Sequence, residues 1–568
     1  MTAGSSGRGR QAALLLVCAL VLGGCGGGER EVRSVLLITL DTTRADALSG
    51  DAASRELAPS IARLADGGVR FPVAYTTAPL TLPAHASMLT GLAPPRHGVR
   101  DNGVAALAGS AETLAEVLAA RGLETAAFVS SVVLDRGFGL DQGFERYDQP
   151  PLVERGTGQG FAERPAAETA RAAIDWLDRR DRARPFFAWV HFYDPHLPYR
   201  PPEEFLEQAA GDAYRGEIAA MDHAVGELVA ALERLGSMNS TLIVVTADHG
   251  ESLGEHGEPT HGALCYEAAV RVPLIFRFPG QPPLPGATRV ASAVDLFPTV
   301  LWRLGIAHAS GLDGVDLFAP DAPADRGVYF ESYSGYLNYG WSPLAGWLDA
   351  RGKYLHSARP EFYLALQDPD ERADLASQRL HECASARGHI EELLARPKLA
   401  PEERAAHDGL MAALAALGYA TGAAVADLPS PLEPSTRPSP REREHELAPL
   451  LEAHALFEAG RFEEARPLVE RIVRENAGHL LALDLLALCW MRAGRFAEAE
   501  NVLRQRLERG PERADTRLNL GLCRLEQGDP EGARVELEAA RQLAPDRPEI
   551  LTALGRLPPS TAASTPGR

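Results

Sequence analysis

The chain has 568 residues, with 57 Lys and Arg against 77 Asp and Glu (formal net charge −20), 45 % hydrophobic and 24 % charged residues. That is the composition of a globular protein folding in water, long enough for a large core and at least one further unit. It excludes a general nucleic-acid binder, because no basic stripe is present to neutralise phosphates; Lys353 and Lys398 are the only lysines, so arginine and histidine carry most positive charge.

At the N-terminus, Arg8 and Arg10 precede an apolar run from Ala12 to Leu22, too short to span a bilayer and of signal h-region length. The run ends in Leu22-Gly23-Gly24-Cys25, which resembles a bacterial lipobox. Residues 1–24 are then a lipoprotein signal peptide, and Cys25 carries the lipid that anchors the chain to a membrane. The expected location is the bacterial cell envelope, on the periplasmic or extracellular face. A small-residue cleavage site without lipid would look similar. Cys265, Cys383, Cys489 and Cys523 show no CxxC spacing, so neither a thiolate zinc site nor a disulfide framework is indicated.

From Ser34 onward, apolar runs alternate with amphipathic stretches. SVLLITL, ETAAFVS, PFFAWVHF, STLIVVT, VPLIFRF and GVYFES are strand candidates, with helices near 57–67, 111–121, 165–181, 214–236 and 295–304. The alternation predicts an α/β fold, a mainly parallel sheet flanked by helices. Asp41 follows the first run, His191 and Asp194 close the third, and Asp248 and His249 end the fourth. Strand carboxyl ends are where such sheets form a ligand crevice.

In TLPAHASMLTG, residues 81–91, Pro83 suits a first helical turn and Gly91 a stop, which puts Thr81 at or just before the N-cap. Unpaired N–H groups there attract an anion, although a capping threonine would look the same. Its hydroxyl needs a metal or a base to become a nucleophile, and Asp41, Asp248 and His249 are available donors.

The assigned units are a catalytic domain over 33–332, a smaller subdomain over 333–423, and a linker rich in Pro and charge over 424–445. Beyond it GRFEEA, GRFAEA and GDPEGA recur every 34 residues from Gly460, with Pro511 and Pro545 in register. That is the period of tetratricopeptide (TPR) helical pairs over 446–557, an all-α array whose concave face suits a protein or peptide partner. Cys489 and Cys523 fall on equivalent repeat positions, and 558–568 is expected to be a disordered tail.

LLITLDTTRADAL, TLPAHASMLTGLAPPRHGV, VVTADHGESLGEHG with EAAVRVPLIF, DLFPTVL and FYLALQDPDERADLA, in that order, resemble the sulfatase branch of the alkaline-phosphatase-like superfamily. The resemblance spans about residues 33–420. It implies an alkaline-phosphatase-like fold and metal-dependent attack by an active-site residue on a tetrahedral sulfate or phosphate ester. The sulfatase signature, Cys or Ser followed by x-Pro-x-Arg, reads Thr81-Leu82-Pro83-Ala84-His85 here. Threonine cannot become the formylglycine that sulfatases use. The second of the family's paired aspartates is Thr42, and its sulfate-clamping Lys and His are replaced by Ser130 and Val132.

What remains resembles phosphoesterase and phosphotransferase relatives with an unmodified threonine. That likeness implies one divalent ion (Ca²⁺, Mg²⁺, Mn²⁺ or Zn²⁺) held by Asp41, Thr81, Asp248 and His249, with Asn102 on the phosphate. His261 matches an active-site histidine of phosphoethanolamine transferases, and His196 in HFYDPHLPY is a candidate to protonate the leaving oxygen. Asp194, His196 and His261 could hold a second ion, or the two histidines could act as clamps or proton donors. His191 is expected to be structural, Glu251, Glu255 and His256 a solvated loop, and Cys265 packed. The expected function is a phosphate-ester hydrolase or phosphotransferase. The alternatives are a sulfuric ester hydrolase with an unusual nucleophile, and a disabled enzyme serving as a TPR scaffold.

Overall fold

The computed structural model describes residues 32–103, 105–150, 164–280, 289–307, 311–320, 322–323, 326–400 and 428–558. The signal segment, Cys25 and the C-terminal tail from 559 lie outside these. Among the described residues no helix is long and apolar enough to cross a membrane.

Strands β1 (Ser34–Leu40), β2 (Val69–Phe71), β3 (Glu124–Phe128), β4 (Arg146–Asp148), β5 (Phe186–Phe192), β6 (Thr241–Ala247) and β7 (Leu274–Arg277) form one sheet in the order β2-β7-β6-β1-β5-β3-β4. β6, β1, β5, β3 and β4 run parallel, while β7 pairs antiparallel with β6 and β2. Every residue of β1, β5 and β6 is buried, because helices cover both faces, and this makes the strands continuous apolar runs. Leu40 stands opposite Phe192 on one side and Ala247 on the other. The three central strands therefore end at one level, which brings Asp41, His191 and Asp248 together.

The flanking helices α1 (Pro59–Asp66), α2 (Thr81–Thr90), α3 (Leu114–Ala120), α4 (Ala166–Arg179), α5 (Ala213–Arg234) and α6 (Leu296–Arg303) fall near the positions expected from the sequence. α2 differs in kind: all ten of its residues are buried. It closes on Gly91 at φ 68°, a left-handed turn that suits glycine.

GVYFES, which the alternation would add to the large sheet, instead opens a second, antiparallel sheet. There β8 (Val328–Ser332), β9 (Leu344–Asp349), β10 (Gly352–His356) and β11 (Glu361–Tyr363) follow in sequential order. An apolar run states that a strand is buried but not which strand it pairs with. Lys353 in β10 is fully buried and ion-paired to Glu267 at 3.2 Å and Glu371 at 2.9 Å, which pins the second sheet to the chain after β6.

Residues 428–445 of the connecting segment are packed. Tyr333 donates its hydroxyl to the Pro429 carbonyl at 2.7 Å, and the Ser342 N–H donates to the Pro438 carbonyl at 2.9 Å. Helices α7 (Leu447–Glu458), α8 (Phe462–Glu475), α9 (Leu480–Arg492), α10 (Phe496–Arg509), α11 (Ala514–Glu526) and α12 (Pro530–Leu543) follow as three antiparallel pairs, closed by α13 (Pro548–Gly555). Gly460, Gly494 and Gly528 turn each pair at φ 76°, 71° and 81°, so the recurring glycine is a backbone requirement. Cys489 and Cys523 are core positions of the array. The first pair is docked on the second sheet's neighbourhood. Trp341 donates its indole N–H to Glu446 at 3.1 Å, and the Asn476 amide donates to the Tyr339 carbonyl at 2.8 Å and to Glu446 at 2.9 Å.

Candidate active site

Five polar side chains meet where β1, β5 and β6 end against the start of α2. Asp41, His191, Asp248 and His249 are fully buried and Thr81 is 1 % exposed. Asp41, Asp248 and His249 each present a ligand atom within 4.8 Å of the others. His249 Nε2 lies 3.5 Å from Asp41 Oδ1, 3.7 Å from Asp248 Oδ2 and 3.4 Å from Thr81 Oγ1. The other nitrogen, Nδ1, lies 3.0 Å from the Gly250 carbonyl, which only accepts, so Nδ1 carries the proton and Nε2 offers its lone pair inward. Gly250 is needed here because a Cβ would collide with the Ala268 carbonyl.

The charges in this cluster do not balance. Among the described residues both oxygens of Asp41 and Oδ2 of Asp248 have no hydrogen-bond partner, and burial raises both carboxyls above their usual range. Burial pulls His249 down, but the facing Asp248 and Asp41 outweigh it and the net direction is upward. Unpaired buried carboxylates cost several kcal/mol each. Two carboxylates with three unpartnered oxygens, an imidazole nitrogen and a hydroxyl converge here, a donor set that fits a divalent cation.

Thr81 is the first residue of α2, with Leu80 extended before it. The Asn102 Oδ1 accepts the Leu82 N–H at 2.9 Å and so caps the helix, while Nδ2, buried, has no partner among the described residues and is available to an anion. His261 and His196 stand on the open side: the His261 ring centroid is 4.4 Å from that of His249 and 5.2 Å from that of His196. His196 Nδ1 lies 2.8 Å from the Leu197 carbonyl and donates to it, leaving Nε2 bare. Burial lowers the pKa of both histidines.

Several expectations change. The set Asp194, His196 and His261 is not assembled as ion ligands: among the described residues the clusters that could hold an ion are Asp41-Asp248-His249 and His85-His191-Asp248. Asp194 instead accepts the Ala166 N–H at 2.9 Å and caps α4, 28 residues away in sequence. Glu251 is no solvated loop residue. It is fully buried, 3.1 Å from His261 Nδ1 and 3.0 Å from the Tyr199 hydroxyl, and burial raises it to about 7. Glu255 is exposed, as expected, and paired to Arg44 at 2.8 Å, whereas His256 stacks on Tyr266 at 3.6 Å. His191, expected to be structural, is fully buried with Nε2 3.6 Å from Asp41. Thr42, at the position of the family's second aspartate, turns its hydroxyl to the Pro195 carbonyl, and Ser130 donates to the His191 carbonyl at 2.7 Å.

The sulfatase family profile matches residues 33–306, and tetratricopeptide-repeat profiles match 450–505 and 491–557. The N-terminal part of this chain is a sulfatase-family domain. It is followed by TPR repeats. The domain is similar to human arylsulfatase A (Homo sapiens), 30 % identical over 313 residues covering 46 % of this chain and 62 % of that protein. Rat steryl-sulfatase (Rattus norvegicus) is 35 % identical over 175 residues, 28 % of this chain and 29 % of that protein. The chain thus spans less than two thirds of either relative. Among solved structures, the phosphonate monoester hydrolase of Agrobacterium radiobacter is similar with a TM-score of 0.52 at 24 % identity, over 64 % of this chain and 95 % of that one. A 2-O GAG sulfatase gives 0.53 at 20 %, over 72 % and 100 %. These two likenesses support the fold.

Beside Asn102 the sulfatase-family domain buries a further acid that the sequence did not single out. Asp101 is 1 % exposed, among the described residues neither of its oxygens has a hydrogen-bond partner, and burial, opposed by the Asn102 N–H, lifts it to about 8. A carboxyl raised in the folded state favours folding while protonated. That stability is present below about pH 4 and is lost as pH rises toward 8. Asp101→Asn is therefore expected to raise the Tm at pH 8 and leave it unchanged near pH 4, which thermal melts at the two pH values measure. At 1.36 kcal/mol per pKa unit the effect at pH 8 is at most about 5 kcal/mol.

Proposed function

We propose that this protein is a metal-dependent hydrolase or phosphotransferase of phosphate esters, with Thr81 as nucleophile. The observation that carries the reading is the hydroxyl of Thr81, 3.4 Å from His249 Nε2, which itself lies 3.5 Å from Asp41 Oδ1 and 3.7 Å from Asp248 Oδ2. Asp41, Asp248, His249 and Thr81 would hold one divalent ion. When bound, such an ion lowers the pKa of the hydroxyl and offsets the charge of the ester.

The rest belongs to the side chains. Thr81 Oγ1 gives up its proton to solvent and attacks phosphorus in line, the bond to the ester oxygen breaks and that oxygen takes a proton from water or His196, and the phosphoryl group rests on Thr81 until water or an alcohol takes it. Asn102 Nδ2 donates to a non-bridging oxygen, a contact whose value grows as charge accumulates there. The bare Nε2 of His196 can take the proton of an attacking water and return one to the leaving oxygen of the next substrate. His261, held by Glu251, lines the same side. The complete donor set argues against a disabled scaffold.

A sulfuric ester hydrolase is the second reading, favoured by the sulfatases among the relatives. Against it stands the threonine, which offers no route to the aldehyde hydrate. A panel of aryl phosphate mono- and diesters, phosphonates and sulfates, each with Mg²⁺, Ca²⁺, Mn²⁺ and Zn²⁺, separates the two. Turnover of phosphorus esters alone is expected, and turnover of sulfates alone ends the proposal.

The setting we propose is a lipoprotein anchored through Cys25 on the outer side of a bacterial membrane, with the TPR array turned to a protein or peptide partner. Its support is the LGGC sequence at residues 22–25 for the anchor and the matched repeats for the partner.

A further inference from the structure

We infer that His85 positions the nucleophile: an imidazole protonated at Nδ1 alone, it ties the peptide of Thr81 to the strand that carries Asp41. The inference rests on Thr81 being the attacking residue. The path starts at Trp189 in β5, whose indole N–H reaches Thr39 Oγ1 at 2.9 Å. An indole N–H only donates, so this oxygen accepts with one of its lone pairs; its proton can go to His85 Nε2, also 2.9 Å away, and does so when the Thr81 carbonyl claims the Nδ1 proton. Nε2 accepts, and Nδ1 then bears the proton. It lies 2.8 Å from the carbonyl of Thr81, which can only accept. Reversing any link would face two donors or two lone pairs, so each hydrogen bond has one direction. Every member is sealed from water: Trp189, Thr39 and His85 are fully buried and Thr81 is 1 % exposed.

The anchor lies where it matters. Thr39 is two residues before Asp41 on β1, and β1 pairs with β5 through Leu37–Trp189 and Thr39–His191. The relay therefore joins the first peptide of α2 to the two strands that set the position of Asp41. Threonine is β-branched and in a helix takes only two χ1 rotamers, so fixing its peptide leaves Oγ1 few positions. A displacement of about 1 Å in a reacting group costs about 10²-fold in rate.

The same geometry answers what the second cluster, His85-His191-Asp248, does. The His85 atom facing Asp248, 3.8 Å away, is Nδ1, the nitrogen that bears the proton. It has no lone pair for an ion there, so His85 is a positioning residue and the divalent site stays with Asp41, Asp248 and His249.

Three variants test this. His85→Leu removes the relay. His85→Gln restores it, since its carbonyl can accept from Thr39 and its amide can donate to Thr81. Thr39→Val breaks it one link earlier at constant volume. His85→Leu is expected to lower kcat for an aryl phosphate about 10²-fold, with KM and the calorimetric Kd for Mn²⁺ within about threefold. His85→Gln should recover at least tenfold of the loss, and Thr39→Val should lower kcat about tenfold. Long-range ¹⁵N–¹H spectra of the metal-free, histidine-labelled protein should show the Nδ1–H tautomer for the signal that vanishes in His85→Gln. An Nε2–H tautomer, an unchanged kcat in Thr39→Val, or a tenfold loss of Mn²⁺ affinity in His85→Gln overturns the inference alone. A wild-type chain inert toward every ester overturns the functional proposal along with it.

Discussion

Replacing Thr81 with alanine is expected to lower kcat for phosphorus esters by at least about 10³-fold, while Thr81→Ser keeps measurable turnover. The size follows from the division of labour. Removing a nucleophile leaves only binding and electrostatic help, which in hydrolases accounts for about 10³- to 10⁴-fold over water, whereas an intact nucleophilic unit gives far more. Serine keeps the oxygen and loses one methyl group, so the attack survives with a looser χ1. Alanine also leaves Asp41, Asp248 and His249 untouched, and divalent affinity should fall only by the share of one neutral ligand. Calorimetry of the two variants measures that share. Mass spectrometry of the peptide containing Thr81 after brief exposure to substrate should show an added phosphoryl group, absent in Thr81→Ala. Full activity in Thr81→Ala would assign the chemistry to another residue.

The parts of this site that the sequence announces are those fixed by local rules. Asp41, Asp248 and His249 follow apolar runs directly, and a buried parallel strand can only end at a sheet edge, so their convergence was readable from position. Thr81 was readable from Pro83 and Gly91 around it. The turn glycines every 34 residues announced the repeats, because each sits at positive φ where a side chain would strain the backbone.

The missing parts depend on partners distant in sequence. His85 looks like a helix-interior residue until Thr39 and Trp189 face it, 46 residues away in the first case. Glu251 sits in a polar run that reads as solvated. Tyr199 covers it from 52 residues upstream and His261 from ten residues downstream. Asp194 looks like a ligand in DPH, yet the first N–H of α4 claims it. Strand β8 failed for a related reason: burial was legible in GVYFES, and its neighbour β9 was not. In each case the residue type was visible and the hydrogen-bond partner that decides its role was not.

Removing the carboxylates at the proposed cation site should change stability in opposite directions with and without metal. In the metal-free protein Asp41 and Asp248 are buried together, with three of their four oxygens unpartnered. Asp248→Asn takes away one of two facing like charges and replaces it with a neutral group of the same shape, so the metal-free Tm should rise. Wild-type protein, by contrast, gains about 2.7 kcal/mol when a divalent ion is supplied at 100 times its Kd, because the ion binds only the folded chain. Asp248→Asn should lose most of that gain and at least about 10³-fold in kcat, since neither the hydroxyl nor the ester charge is then compensated. Thermal melts in EDTA and in each divalent ion give both signs in one experiment. A metal-free Tm that falls in Asp248→Asn, together with an ion-induced shift equal to wild type, would mean that the two aspartates serve the fold and that the cation, if any, binds elsewhere. The opposed signs follow from one cause: the sheet brings two carboxylates to the end of adjacent strands, and among the described residues no arginine or lysine is ion-paired to them, so the compensating charge we propose is a cation from solution.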